Sequence, residues 1–246
     1  MGQMIVTTSW DDGHRLDLRL ADLLRTLEIR GTFYIAPRNR EFTSGNRLDP
    51  TDICALAKDF DIGSHTMTHP VLTRVGSSVA SGEIGDSRKF LEDASGRVVD
   101  TFCYPRGRYS ATHVKMVKAA GYRYARTVRP FAATLPRDPF QARTTLEAGR
   151  FARWRAPLDL SHASVLTGRS PLRLRSWEDL AVALFDKTYA QSGVFHLWGH
   201  SWVLDSRAEW IRLERVLAYI GRRQDVRYMT NSEVAGHVTT SFDEDR

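Results

Sequence analysis

Short apolar runs alternate with amphipathic stretches along most of the chain. Residues 4–8 form an apolar run that predicts a strand, and leucines then recur at the spacing of one helix face. These leucines are Leu16, Leu20, Leu23, Leu24 and Leu27. A strand followed by an amphipathic helix is the repeating unit of sheets that have parallel strands and crossover helices.

The same alternation continues toward the C-terminus. Further strands are predicted over residues 31–35, 61–64, 101–104, 122–128, 193–197 and 226–229. Helices are predicted over residues 50–58, 80–94, 111–120, 177–191 and 207–220, with a short last helix capped by Asn231. Seven or eight such alternations in 246 residues predict an α/β protein, a closed or distorted (β/α) barrel of about seven strands.

Residues 129–175 break this pattern. They hold five prolines and no sustained period, so we predict long loops that cover one face of the barrel. Within them, residues 150–155 interleave aromatic rings with arginines, which suits a phosphate or a sugar, although a plain surface loop is the simpler interpretation. We expect residues 1–246 to form a single domain, with 239–246 as a flexible tail.

Composition narrows the class of protein. The formal net charge is +6, but the arginines are scattered over many segments, so no nucleic-acid partner is expected. No apolar run approaches the roughly 20 residues of a membrane span, and the N-terminus lacks a basic region followed by a long apolar stretch. We therefore expect a cytoplasmic protein without a membrane span. Cys54 and Cys103 are the only cysteines, and reduced thiols are expected for both.

Two short segments carry the candidate chemistry. Asp11 and Asp12 are adjacent, and His65 and His69 lie four residues apart. This spacing lets both imidazoles face one point, from a helical turn or from a shaped loop, and one aspartate completes a metal site with open positions. The other carboxylate can then accept a proton from an activated water. Taken alone, the pair Asp12-Gly13 is also typical of a turn. The two histidines, taken alone, are also typical of a solvent-exposed helix.

The predicted strands place these residues at one rim. In a (β/α) barrel, working residues lie where strands end, at the carboxyl-terminal face. Asp11 and Asp12 follow the first predicted strand, His65 follows a later one, and residues 104–107 and 196–200 follow two more. Four independent placements at one rim favour a shared site.

These motifs resemble those of the polysaccharide deacetylases of the NodB-homology type, carbohydrate esterase family 4, over most of the chain. The sequence SWDDG matches the family's first motif, Thr-Phe-Asp-Asp-Gly, and HTMTH matches its His-Ser/Thr-x-x-His motif fully. The resemblance implies a distorted (β/α) barrel, with Asp11 as the general base and Asp12, His65 and His69 as ligands of a divalent metal. It also implies an N-acetylated carbohydrate as substrate.

The family's third motif, Arg-Pro-Pro-Tyr-Gly, corresponds here to the sequence CYPRG, so Cys103 stands where the family has an arginine that orients the catalytic aspartate. Arg126 and Arg106 are both candidates for a replacement cation, and an ordinary surface role is equally open for each. By position, the resemblance implies the backbone N–H of Arg106 as the donor to an oxyanion.

The family's last motif, Leu-x-His, implies a histidine that protonates the leaving amine, and the chain offers His196 and His200. We favour His200, because the glycine and serine beside it suggest a rim loop, whereas His196 lies deeper in an apolar strand and suits a core residue. Asp205 and Asp138 are the candidates for its carboxylate partner.

Aromatic residues lie beside all of these motifs, where they could stack on sugar rings or simply pack in the barrel core. They are Trp10, Tyr104, Tyr109, Trp198 and Trp202. For contact with the substrate we predict Tyr104, Trp198 and Trp202 together with Arg126.

Three functions fit these residues. The first is a metal-dependent hydrolase that removes an N-acetyl group from an amino sugar, in an oligosaccharide, a polysaccharide or a biosynthetic glycoconjugate, and releases acetate. The second is a hydrolase of a cyclic amide or another small C–N substrate on the same fold. The third is a non-catalytic carbohydrate-binding relic, suggested by Cys103. The ligand set favours Zn²⁺, and Co²⁺, Ni²⁺, Fe²⁺ and Mn²⁺ accept the same ligand types.

Overall fold

The computed structural model describes residues 3–149 and 157–244, and its strands form one curved sheet in which every pairing is parallel. The strands are β1 (Met4–Asp12), β2 (Gly31–Ile35), β3 (Asp61–Ser64), β4 (Thr101–Cys103), β5 (Tyr124–Arg126), β6 (Leu146–Glu147), β7 (Val194–Gly199) and β8 (Val226–Tyr228). Seven of them follow the order β5-β4-β3-β2-β1-β7-β6, and β8 pairs with the first residues of β1. The predicted α/β barrel of about seven strands is confirmed.

A short backbone bridge joins the two ends of this sheet. Ala142, which precedes β6, donates its N–H to the Ala125 carbonyl of β5 at 3.0 Å and accepts the Thr127 N–H at 2.7 Å. Because β6 then continues beside β7, the strands enclose a barrel that is distorted at this seam. The distortion follows from the two-residue length of β6.

Helices cover the outside of the sheet. They are α1 (Asp17–Thr26), α2 (Pro50–Leu56), α3 (Ser77–Ser95), α4 (Ala111–Ala119), α5 (Pro157–Thr167), α6 (Trp177–Ala190), α7 (Arg207–Ile220) and α8 (Asn231–Glu244). Two of these helices begin at the capping residues that the sequence predicts. The Asp49 side chain caps α2 by accepting the Asp52 N–H, and the Ser176 side chain caps α6 by accepting the Asp179 N–H. None of the described helices combines the length and the apolarity needed to cross a bilayer.

Three segments differ most from the prediction. β1 runs to Asp12 rather than ending at residue 8, because its later polar residues are buried and paired with both neighbouring strands. Residues 129–175 contain the strand β6 and the helix α5 as well as loops. The strand is missed because two residues are too few to show a hydrophobic period. The helix is missed because prolines indicate loops, although a proline such as Pro157 also fits the first turn of a helix. The last helix continues to Glu244, through most of the predicted tail.

The barrel end opposite to the ends of β1 and β7 holds a pair of carboxyl groups. The Ser232 hydroxyl at the start of α8 lies 2.9 Å from Asp61 Oδ1 and 2.6 Å from Asp100 Oδ1. A hydroxyl has one proton to donate, so the second short contact needs a proton on a carboxyl group. Burial raises the pKa of Asp61 to about 6, so this carboxyl group takes up a proton more readily than an exposed aspartate does.

Candidate active site

The residues predicted for catalysis meet in one cleft at the carboxyl ends of the strands. Asp11 and Asp12 are the last residues of β1, His65 directly follows β3, and His200 directly follows β7. With His69 they line a cavity of about 230 Å³. Arg106, in the turn after β4, lines the same cavity, so the four placements made from the sequence converge on one site, as parallel strands require.

Asp12, His65 and His69 form a triad whose free atoms point at one another. Asp12 Oδ1 lies 3.5 Å from His65 Nε2 and 3.3 Å from His69 Nε2. Tetrahedral bonds of about 2.0–2.1 Å to a metal separate neighbouring ligand atoms by about 3.4 Å. Asp12 Oδ1 is buried and has no hydrogen-bond partner among the described residues. The three donors thus fit a divalent cation.

Each ligand is held in place through its other polar atom. His65 Nδ1 donates to the Cys103 carbonyl at 2.8 Å, and His69 Nδ1 bonds Glu41 Oε1 at 2.8 Å. Trp202 Nε1 donates to Asp12 Oδ2 at 2.9 Å. Such contacts leave both Nε2 atoms and one carboxylate oxygen directed into the cleft, which is the usual way in which metal ligands are oriented. Burial lowers the pKa of His65 well below its usual range, which keeps its ring neutral and able to ligate.

The segment from His65 to His69 is a loop rather than a helical turn. Thr66 and His69 have positive φ angles of 67° and 61°, so the chain folds back and both rings face Asp12. Glu83 of α3 fixes this loop: its carboxylate accepts from Thr68 N at 2.7 Å and from Thr68 Oγ1 at 2.6 Å. The shape of the loop therefore depends on a carboxylate that its own sequence does not contain.

Asp11 forms a buried ion pair with Arg126, whose Nη2 contacts both carboxylate oxygens. The guanidinium also lies 4.5 Å from the Trp198 ring centroid and 5.3 Å from that of Tyr34. Cys103 Sγ is 3.6 Å from Asp11 Oδ2, and burial raises the pKa of this thiol well above its usual range. Arg126 is thus the cation that orients Asp11. The prediction that it contacts substrate is wrong, because its side chain is 0% exposed.

Asp11, His65 and Cys103 also lie close enough together for one metal. That grouping is the weaker one, because Asp11 is committed to the Arg126 guanidinium and the Cys103 thiol keeps its proton. The set with Asp12 keeps its ligand atoms free.

His200 lies at the rim beside a carboxylate that the sequence did not indicate. His200 Nε2 is 3.8 Å from Asp12 Oδ2, and His200 Nδ1 is 3.6 Å from Oε1 of Glu147, which is 1% exposed. The partner is therefore Glu147, and the two proposed aspartates are wrong: Asp138 caps a short turn by accepting from Phe140, and Asp205 follows the next turn of the chain.

His196 is a core residue, as its apolar strand suggested. Its Nε2 is 2.8 Å from the Ser9 hydroxyl, and burial lowers its pKa well below the usual range. Of the two candidate histidines, only His200 lines the cleft.

The third motif forms a short turn after β4. Arg106 has a left-handed backbone with φ 55° and lines the cleft, and its Nη2 donates to Glu41 Oε1 at 2.7 Å, so its side chain binds Glu41 and not Asp11. Tyr104 is fully buried, and its hydroxyl donates to the Phe140 carbonyl at 3.1 Å. The prediction of substrate contact by Tyr104 is therefore wrong.

Two of the predicted aromatic residues do line the cleft. Trp198 and Trp202 lie on either side of His200, with ring centroids 5.4 and 5.6 Å from the imidazole. Trp10 is fully buried in the core, and Tyr109 stacks on Tyr104. The arginine and aromatic cluster of residues 150–155 lies outside the described residues.

Sequence reasoning missed two carboxylates of this site. Glu41 comes from the loop after β2, and Glu147 from the two-residue strand β6. Neither has a neighbour of its own chemistry in the sequence, so no local spacing could have identified it.

Known proteins share this fold. Among solved structures, a Mycobacterium smegmatis protein described as a polysaccharide deacetylase is similar over 98% of this chain and 92% of its own, with a TM-score of 0.71 and 16% identity. The chitin deacetylase of Colletotrichum lindemuthianum is similar over 95% of this chain and 90% of its own, with a TM-score of 0.60 and 17% identity. These likenesses show the same barrel.

A shorter likeness is to the Streptococcus pyogenes deacetylase PplD, over 56% of this chain and 62% of that one, with a TM-score of 0.52 and 19% identity. This chain thus matches less than two thirds of that protein's length. No curated protein sequence matches the chain. The sequence model of polysaccharide deacetylases, however, matches residues 1–125, which include both aspartates and both histidines of the site. Because that match covers half of the chain, the protein belongs to the polysaccharide deacetylase family.

Proposed function

We propose that this protein is a metal-dependent hydrolase that removes an N-acetyl group from an amino sugar and releases acetate. The observation that carries the proposal is the position of Asp11, adjacent in sequence to Asp12 and held by Arg126 beside the triad of Asp12, His65 and His69. Asp12 keeps a ligand oxygen without a hydrogen bond from any described residue, and Asp11, oriented by Arg126, is the carboxylate that accepts a proton.

The ligand set suits zinc, which takes two imidazoles and one carboxylate and keeps an open position in catalytic sites. A divalent cation held there would lower the pKa of a water molecule and polarise the acetyl carbonyl. The chain itself does the remaining work on the nucleophile side. Asp11 accepts the proton of the attacking water, and the Arg126 guanidinium fixes the orientation of the carboxylate. The Arg106 N–H, at the turn after β4, donates to the developing oxyanion.

His200 acts on the leaving-group side of the cleft. Its ring lies beside Trp198 and Trp202, and the Glu147 carboxylate lies 3.6 Å from Nδ1, where it can orient the ring so that Nε2 donates a proton to the leaving amine. The amine leaves with this proton, so the products are acetate and a free amino sugar. The Trp202 ring, which is partly exposed at the rim, offers an apolar face on which a sugar ring can stack, whereas Trp198 is only 3% exposed and packs against the Arg126 guanidinium.

The test begins with elemental analysis of protein purified without chelator, followed by an acetate-release assay on neutral N-acetylated chito-oligosaccharides. We expect about one equivalent of zinc and release of acetate. In Asp11→Asn we expect the metal to be retained and acetate release to fall by about 100-fold or more. Asp93→Asn, an exposed aspartate on α3, is the matched control and should behave as wild type. Wild-type turnover by Asp11→Asn would refute the proposal, and turnover of cyclic amides alone would redirect it to a different substrate.

A further inference from the structure

The cleft continues away from the metal triad as a surface trough. A cavity of about 710 Å³ shares Glu41, His69 and Arg106 with the catalytic cleft, and it extends past Arg74 and Arg108. A third cavity of about 640 Å³ shares Arg108 with the second and follows α4. The three cavities thus adjoin one another through shared lining residues, and the first two share the metal ligand His69.

Six exposed cations line these adjoining cavities beyond the triad, and we call this surface the basic trough. They are Arg74, Arg106, Arg108, Lys115, Lys118 and Arg129. Glu41 is the one carboxylate among the residues that line the second and third cavities, and it already bonds His69 and Arg106. Among the described residues, no carboxylate forms an ion pair with Arg74 or Arg108. Over the part of the chain that the structure describes, the lining of the trough therefore has six cations and one carboxylate, which leaves it a net positive charge.

The basic trough begins close to the triad of Asp12, His65 and His69. Arg106 Nη2 is 2.7 Å from Glu41 Oε1, which is 2.8 Å from Nδ1 of the ligand His69, so the trough begins two hydrogen bonds from the triad. Grouped cations in a concave surface focus the electrostatic field and raise the local concentration of anions. The planar arginine fork also matches the geometry of carboxylate and phosphate oxygens.

We infer that the natural substrate is an anionic N-acetylated saccharide, whose phosphate or carboxylate groups occupy the basic trough while the acetyl group reaches the triad. This inference rests on the proposed deacetylase function and narrows its substrate class. A neutral glycan would leave the cations of the trough without a partner. An extended anionic saccharide pairs with them along its length.

The test compares three substrates that carry the same acetyl group. They are a neutral N-acetylated chito-oligosaccharide, N-acetylglucosamine 1-phosphate, and an oligosaccharide that alternates N-acetylglucosamine with a uronic acid. We expect a higher kcat/KM for at least one charged substrate, and the phosphate and uronate arms distinguish which anion the trough takes. The KM for that substrate should rise with salt, because exposed charges are screened beyond about 10 Å at 0.1 M.

The matched variants are Arg74→Ser/Arg108→Ser, in the trough, and Arg97→Ser/Arg227→Ser, exposed arginines elsewhere on the surface. Each double variant removes two positive charges. A difference between the two variants therefore reports the position of the charges in the trough and not the net charge of the protein. In the trough variant we expect kcat/KM for the charged substrate to fall about 10-fold or more, which is the value of one charge-assisted hydrogen bond. Its activity on the neutral substrate, and both activities of the control variant, should stay within about twofold of wild type.

Two outcomes separate this inference from the proposed function. If the neutral substrate releases acetate and no charged substrate is preferred, the deacetylase function stands and the anionic substrate class is wrong. If no substrate releases acetate, titration calorimetry of the same saccharides still tests the trough, and equal binding by wild type and the trough variant overturns it. Inhibition by a short DNA strand as strong as that by the charged saccharide would show a general polyanion surface and would also overturn it.

Discussion

Replacing Arg126 with methionine breaks the buried ion pair that holds the carboxylate of Asp11, the proposed general base. The side chains of Arg126 and Asp11 are only 0% and 2% exposed, so solvent screens the pair weakly. Removing one partner of a buried pair costs about 3–5 kcal/mol, because the other charge remains in the interior without compensation. We therefore expect Arg126→Met to lower the free energy of unfolding by about 3–5 kcal/mol, out of the roughly 5–15 kcal/mol that is typical of a domain.

Urea unfolding followed by tryptophan fluorescence measures this loss. The informative control is the double variant Asp11→Asn/Arg126→Met, in which the stranded carboxylate is gone. We expect the double variant to be more stable than Arg126→Met alone, since contacting residues couple strongly in a double-mutant cycle. Arg126→Lys keeps the charge on a shorter side chain that lacks the planar guanidinium packed against the Trp198 and Tyr34 rings, so an intermediate loss is expected.

The same substitution separates orientation of the base from binding of metal. Arg126 contacts Asp11 and not the atoms of Asp12, His65 or His69 that face one another. Acetate release by Arg126→Met should fall about 100-fold or more, while the metal content stays at the wild-type level. Unfolding of Arg126→Met within about 0.5 kcal/mol of wild type, or strictly additive effects in the cycle, would refute the reasoning.

Three other carboxylates lead to shorter predictions. Glu147→Gln removes the charge 3.6 Å from His200, so kcat for acetate release should fall about 100-fold at unchanged metal content. Glu83→Ala deletes both hydrogen bonds to Thr68, so the Kd for the metal, measured by chelator competition, should rise about 10- to 100-fold, with Glu83→Gln close to wild type. Burial raises the pKa of Asp61 to about 6, so its contribution to stability is full below about pH 3.8 and is lost as the pH rises through about 6. In urea unfolding, the free energy of unfolding of wild type should fall by about 3 kcal/mol over this pH range, and that of Asp61→Asn should not show this fall.

Each of these has an outcome that would count against it. For Glu147, it is a wild-type kcat in the glutamine variant. For Glu83, it is an unchanged metal Kd in the alanine variant, which would mean that the loop keeps its shape without the carboxylate. For Asp61, it is a stability difference between wild type and variant that does not change between about pH 4 and pH 7.

Features that depend on local hydrophobic pattern and on the ends of strands could be predicted from the sequence. The barrel followed from alternating strands and helices, and the grouping of the two aspartates with His65 and His69 followed from their spacing and from the strand ends. The choice of Asp12 as the ligand came from the family resemblance. Glu41 and Glu147 could not be predicted, because each reaches the site from a segment distant in sequence and without a periodic signal. Tertiary contacts, rather than local sequence signals, bring these two carboxylates to the candidate site.

The departure at Cys103 shows how such a contact preserves chemistry. Cys103 and Arg126 are register partners on the neighbouring parallel strands β4 and β5, so the arginine stands directly beside the position that holds arginine in the family motif. Register partners lie about 5 Å apart and point to the same side of a sheet. The small thiol leaves room for the guanidinium, whose Nη2 passes 3.0 Å from Cys103 Sγ to reach Asp11. The positive partner of Asp11 therefore comes from β5 in this chain, and not from the motif position on β4 that Cys103 occupies.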